Sequence, residues 1–163
     1  MAVNAYLIIN GVNGPSTSLK NAIDIMSFSI GASMPHVVGA GSSGAENRAG
    51  RASISDLSIM KVADATSPIL FGYCTTGFII SKVSIQYSQQ TGATGAAPAT
   101  FYEINLTNAM VTSYQDSGSS ENPHESISFG FQTIQIGYNP ESATGSQAGM
   151  VFKGYDLLQL QGS

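Results

Sequence analysis

Tryptophan is absent, cysteine occurs once, and charge is scarce. Cys74 alone permits no intrachain disulfide, so an oxidising compartment is neither required nor excluded. Charged residues make up 10 % of the 163 residues, against roughly 25 % in ordinary soluble domains. The cations Lys20, Arg48, Arg51, Lys61, Lys82 and Lys153 are scattered, and the formal charge is −4. With no basic stripe to neutralise phosphates, nucleic-acid binding is disfavoured. No apolar run approaches membrane-spanning length, which argues against membrane insertion by a helix. The N-terminus has neither a basic leader nor a long apolar segment, so a cytoplasmic product without a conventional signal peptide is expected.

What is present is a chain that is 42 % hydrophobic with an exterior of Ser, Thr, Asn, Gln and Gly. That excludes disorder and leaves two readings. One is a β protein with neutral polar faces. The other is a surface hidden against copies of itself, where charges would cost desolvation.

Period-two alternation dominates and predicts strands at residues 3–10, 22–33, 52–62, 78–88, 100–114, 125–138 and 150–160. In 22–33, Met26, Phe28 and Ile30 fall on one face and Ser27, Ser29 and Gly31 on the other. A phase change between Ile54 and Leu57 implies a bulge. Ile79, Val83, Ile85 and Tyr87 are expected inward, as are Tyr102, Ile104, Leu106 and Met110. In 125–138 the inward set shifts from Ile127, Phe129 and Phe131 to Ile134, Ile136 and Tyr138.

One segment, 66–77, reads as helix. Thr66 or Ser67 can cap its start, Pro68 suits the first turn, and Gly77 suits a left-handed end. Ile69, Leu70 and Tyr73 supply an apolar stripe, and Cys74 reads as a packed thiol. So short a helix must lean on a sheet. The expected architecture is mainly β: one domain over 1–163, an antiparallel β-barrel of two packed sheets with one short α-helix on the side.

Residues 35–51 break the periodicity, with Gly39, Gly41, Gly44 and Gly50 around Ser42 and Ser43. Gly39 to Gly44 matches the glycine spacing of a dinucleotide loop, but a strand rather than a helix follows, so there is no helix N-terminus to receive a pyrophosphate. A loop of this length in a compact domain suggests a contact. Glu46, Arg48 and Arg51 either pair across a subunit boundary or keep the loop soluble. His36 and His124 stand at loops, and with Cys74 they form no metal-ligand spacing. No nucleophile elbow and no carboxylate pair in an apolar stretch is visible. No cofactor, metal or catalysis is therefore expected.

The run Ile54-Ser55-Asp56-Leu57-Ser58-Ile59-Met60-Lys61, then Asp64-Ala65-Thr66-Ser67-Pro68-Ile69-Leu70, then Cys74-Thr75-Thr76-Gly77, resembles the hemolysin-coregulated protein (Hcp) family, the inner-tube subunits of bacterial type VI secretion systems. The opening strand with Gly11 and Gly14, the stretch 22–31, the glycine-rich loop after His36 and the ending 153–159 are similar to that family in the same order. The resemblance implies a β-barrel flanked by a helix made of Ser67, Pro68, Cys74 and Gly77 among others. It implies homohexameric rings stacked into a tube, expelled by a contractile sheath with spike and baseplate proteins, and effectors carried in the lumen. The interface is then expected at the loop (His36, Gly39, Gly41, Gly44, Glu46, Arg48, Arg51), and Ser27 and Ser29 are expected to face the lumen. The alternatives are a tail-tube subunit of a phage-like contractile system, or a non-assembling β-sandwich that binds a carbohydrate or other ligand. The absence of tryptophan and of clustered Asp weakens the second.

Overall fold

The structure, a computed structural model, describes residues 3–38, 47–89, 99–140 and 149–162. The elements in chain order are β1 (Val3–Ile9), β2 (Ile23–Asp24), β3 (Ser27–Ser29), β4 (Ala32–Ser33), β5 (His36–Val38), β6 (Asn47–Ala49), β7 (Ser53–Ile54), β8 (Leu57–Val62), α1 (Ser67–Thr76), β9 (Ile80–Gln89), β10 (Ala99–Ser117), β11 (His124–Gly130), β12 (Thr133–Tyr138), β13 (Val151–Asp156) and β14 (Gln161–Gly162). Every ladder among them is antiparallel.

The 19-residue β10 is the shared spine. Its first half lies between β9 and β12, and that sheet continues through β1 and β2 on one side and β13 and β14 on the other. Its second half pairs with β11, which leads on to β8 and β3. A wide sheet of seven strands and a narrow one of four therefore diverge from one strand.

The predicted strand over 125–138 is divided. β11 and β12 follow each other along one edge of β10, separated at Phe131 and Gln132. The break is matched on β10 by Asn108, whose φ of 49° is a left-handed kink. Asn108 Nδ2 donates to Gln132 Oε1 at 3.0 Å, and the Gln132 N–H donates to Thr107 O at 3.1 Å. This kink resets the phase: Ile104 and Leu106 face the core before it, Ala109 and Val111 after it. Met110, expected inward, is consequently exposed. The same holds for Ile79, because β9 changes phase opposite Asn108, which brings Ile80 into the core with Val83 and Ile85.

The predicted strand over 22–33 is three pieces. The Ile25 N–H donates to Ala5 O at 3.2 Å, and the next N–H, of Met26, donates to Met60 O at 2.7 Å. The chain crosses from the wide sheet to the narrow one in a single residue. Ile23 and Ile25 stay buried before the crossing and Phe28 and Ile30 pack on the core after it, which throws Met26 outward at 58 % exposure. The expected bulge at 54–57 is present as the interruption between β7 and β8. The barrel is not closed: a crossing chain, not a continuous ladder, links the two sheets here. The core lies between them, built from Leu7, Ile59, Leu70, Ile85, Ile104 and Phe129 among others.

α1 runs between β8 and β9 with Pro68 in its first turn. Thr66 makes no side-chain cap. Asp64 does this work, accepting the Thr66 N–H on Oδ1 at 2.8 Å and the Ser67 N–H on its carbonyl at 3.1 Å. Leu70 is buried, Tyr73 and Cys74 pack partly against the core, and Ile69, expected in the stripe, is exposed. Gly77 ends the helix at φ 65°. A Cβ there would meet only Met110 Sδ, at an ordinary 3.7 Å. The expected cost of Gly77→Ala is thus conformational, about 1–2 kcal/mol. Urea unfolding of the two proteins checks this, and equal midpoints would mean the helix end does not need a left-handed residue.

Candidate functional site

Alternation places two charges on the core face: Lys61 after Leu57 and Ile59 on β8, and Glu125 before Ile127 and Phe129 on β11. Antiparallel register sets them directly opposite. Both side chains are 0 % exposed, and Lys61 Nζ lies 2.9 Å from Glu125 Oε2. Glu125 Oε1 accepts from the Tyr114 hydroxyl of β10 at 2.6 Å. Lys61 Nζ also reaches Asp64 Oδ1 at 3.1 Å, the Val62 carbonyl at 3.3 Å and Ser67 Oγ at 3.3 Å. Ser67 Oγ accepts the Asp64 N–H at 2.9 Å. Strands β8, β10 and β11 and the start of α1 are thereby tied at one point.

Burial alone would push the Glu125 carboxyl up, but the bonds from Ser67, Tyr114 and Lys61 outweigh it and hold it below the ordinary carboxylate value. Asp64 is likewise held down against burial by Thr66 and Lys61. Burial, then the Glu125 hydrogen bond, raises Tyr114 above an ordinary phenol. The cluster has no accessible face at Lys61 or Glu125, and its groups satisfy one another. Its chemistry is that of an anchor. No local sequence pattern marks it, because its members come from separate strands. The signal was two opposite charges at core parity.

The described ends of the expected interface loop form a β-ribbon. β3 with β8, β4 with β7, and β5 with β6 are successive stretches of one two-stranded arm. Between stretches, two residues on the outgoing limb are met by three on the return, so a bulge twists the arm at each step. Ser55 pins the first step by accepting the Gly31 N–H at 2.8 Å, and Gly50 pins the second by donating to Pro35 O at 2.7 Å. A Cβ on Gly50 would sit 2.8 Å from Pro35 Cγ, so the limbs close here only because that position is glycine. His36 and Arg51 are exposed on this arm, and Arg48 stands in β6 opposite Val37. Gly39, Gly41, Gly44 and Glu46 lie outside the described residues. Beyond β3 and β8, the arm's described strands ladder only with each other.

Ser27 and Ser29 are exposed on the outer face of the narrow sheet. Register sets them beside Met60 and Ser58, then Ser126 and Ser128, then Gln115 and Ser113. Ser58 and Ser128 share a hydrogen bond at 2.9 Å. The result is a wall of hydroxyls without a charge among these residues. Two apolar areas are also bare. One follows the outward side of α1 through Ile69, Phe71, Phe78 and Ile79. The other is the inner face of β12 and β13, where Ile136, Tyr138 and Val151 continue the core-facing rows of the wide sheet. Ile136 and Tyr138, expected inward, do point to the core side. The narrow sheet does not reach that far. The base of the arm covers part of it, leaving an open groove of about 260 Å³ lined by Ile30, Ala32, Ile54, Ile134, Lys153 and Tyr155 among others.

A family model described as "Type VI secretion system effector, Hcp" matches residues 6–138. Among solved structures, one described as a type six secretion system protein is 25 % identical, covers 99 % of this chain and 100 % of its own, and superposes with a TM-score of 0.85. Hcp1 from Salmonella typhimurium is 24 % identical with full coverage of both chains and a TM-score of 0.77. A chain of the anti-feeding prophage baseplate is 12 % identical, covers 82 % of this chain and 91 % of its own, with a TM-score of 0.52. No curated protein matches by sequence.

Breaking the buried pair strands a charge, so Lys61→Met or Glu125→Gln is expected to cost about 3–5 kcal/mol, measurable by urea unfolding at pH 7. The lowered Glu125 and Asp64 contribute stability above the unfolded carboxylate pKa of roughly 4, and this is lost as pH falls through their folded values. Glu125→Gln should therefore flatten the acid limb of the stability profile. An unchanged acid limb would assign that limb to other carboxylates.

Proposed function

The chain belongs to the Hcp family of type VI secretion tube proteins, and from that premise we propose that it assembles into hexameric rings that stack into the expelled inner tube. The carrying observation is the arm. An isolated two-stranded ribbon is marginal in water, yet 32–38 and 47–54 ladder only with each other and expose their described side chains for the most part. A second copy supplies the missing support. The bare apolar faces support the same reading, since patches of this kind on a lightly charged exterior mark association surfaces. A ring needs a heterologous contact that closes by rotation, and a stack needs a second, axial one.

The serine wall suits the lumen side, with Ser27 and Ser29 in it. Hydroxyls solvate a passing effector without the strong, salt-sensitive attraction that charges would exert. The sheath, spike and baseplate are the remaining partners, and export is through the secretion apparatus. The likeness to a chain of a baseplate described as 6-fold symmetrised supports a second reading, a tube subunit of a phage-like contractile system. It needs the same ring.

Native mass spectrometry at micromolar concentration should give six times the 16.9 kDa chain mass. A monomer throughout the accessible range would sink the ring. Replacing 36–49 by a tight turn should abolish rings or stacks while leaving the subunit folded, by circular dichroism and sedimentation. Tubes of normal mass and length after that change would remove the arm from assembly. Ser27→Lys with Ser29→Lys should keep the ring mass and lower the amount of co-purifying effector, and unaltered effector recovery would count against the lumen assignment.

A further inference from the structure

The chain carries Asn-Gly twice in quick succession after β1, at Asn10-Gly11 and Asn13-Gly14. In this dipeptide the backbone turns readily onto its own side chain, because glycine puts no Cβ in the way of its amide nitrogen. Both asparagines are exposed. The fold nevertheless holds the two glycine nitrogens in opposite states. Ile9 to Val12 form a turn closed by the Val12 N–H donating to Ile9 O at 3.1 Å, with Gly11 at the third position and φ 87°. The closing bond of such a turn does not use the peptide between its two central residues. The Gly11 N–H accordingly has no partner among the described residues, and a Cβ on Gly11 would meet nothing within 4 Å. That peptide has room to rotate. Gly14 has none. Its N–H donates to Asn21 O at 3.2 Å in an isolated bridge, and a Cβ on it would overlap the Ala22 carbonyl. The Ser16 N–H holds that carbonyl in place at 3.0 Å.

We infer that Asn10 is a site of deamidation in the folded protein and that Asn13 is shielded from the same reaction by its turn. The Gly11 nitrogen loses its proton to solvent base and attacks Asn10 Cγ. The N–Cγ bond forms, the Cγ–Nδ2 bond breaks, and the side-chain nitrogen takes up a proton from water and leaves as ammonia. Water then opens the five-membered imide at one of its two carbonyls, giving aspartate or isoaspartate. At Asn13 the same attack needs the proton that Asn21 O holds, and a rotation that the Ala22 carbonyl blocks.

The site receives the two products differently. The Asn10 amide donates to Ser81 Oγ and lines, with Ile8, Lys82, Ser84 and Gln86, a crevice of about 330 Å³ beside β1 and β9. An aspartate keeps that tie, with the Ser81 hydroxyl now donating. It also sets its charge near Lys82, which makes no ion pair among the described residues. Isoaspartate adds a methylene to the backbone between β1 and the turn. The Asn10 N–H bond to Lys82 O, 3.0 Å long, and the turn bond from Val12 then no longer fit together, and the buried Val12 is displaced. The modification concerns the subunit itself and holds whether or not rings form.

Incubating the folded chain at mildly alkaline pH, with peptide mapping by mass spectrometry over weeks, tests this directly. The same incubation in urea above the unfolding midpoint is the reference, because there both Asn-Gly pairs are unprotected. Asn10 should react at similar rates in the two conditions. Asn13 should react about tenfold or more slowly in the folded chain than in urea, because the reaction waits for the Gly14 bridge to open. Asn10→Asp should unfold at the same urea concentration as the parent chain, while the isoaspartate-containing fraction, separated by chromatography, should unfold at a lower one. No modification at Asn10 in the folded chain would overturn the site. Equal folded-state rates at the two asparagines would overturn the shielding. A clear loss of stability in Asn10→Asp would overturn the fit of the aspartate to the crevice.

Discussion

The Lys61–Glu125 pair is the constraint on which the rest of the architecture depends. It joins β8 to β11, collects Tyr114 from β10, and through Asp64 and Ser67 sets where α1 begins. A ten-residue helix containing Pro, Gly and several β-branched or aromatic residues has little stability of its own. It exists here because its first turn is bonded to a buried ionic cluster and Leu70 is pressed into the core. Such a pair adds little net stability, since desolvation cancels most of the attraction. What it adds is registry: slipping β8 against β11 by two residues, which keeps both on the core face, would leave two opposite charges buried apart.

That registry is passed outward to the exposed faces. β8 is also the return limb of the arm, so fixing Lys61 fixes Met60 and Ser58 on the opposite face, and with them the hydroxyl wall. It also fixes the phase with which the arm leaves the narrow sheet. A structural cluster with no access to solvent at its centre therefore governs three exposed features: the helix side, the serine wall and the arm.

Much of this was legible along the chain. Alternation identified β1, β8, β9 and β10, the single helix with its Pro68 start and Gly77 end, and the mainly antiparallel β class. Errors cluster where strands change partner. Period two puts Met26 on one face with Phe28 and Ile30, and Ile79 and Met110 inward, only by running through positions where the backbone turns: the crossing at Ile25, and the kink at Asn108 with the phase change of β9 opposite it. Ile136 and Tyr138 lie on the expected side but in a different environment, since alternation reports which way a residue points and not whether anything stands opposite. The arm resembles a glycine-rich loop in sequence because its short paired stretches are interrupted by bulges, and two or three residues are too few to show a period.

Local periods, helix boundaries and the scarcity of charge are set along the chain, because they follow from the covalent pattern of side chains and from their solvation. The pairing of Lys61 with Glu125, the greater reach of one sheet, and an arm whose strands ladder only with each other among the described residues arise in the folded chain alone. Those facts depend on which strands become neighbours. Neighbours are chosen by burial of the whole core at once, and no window of sequence contains that choice.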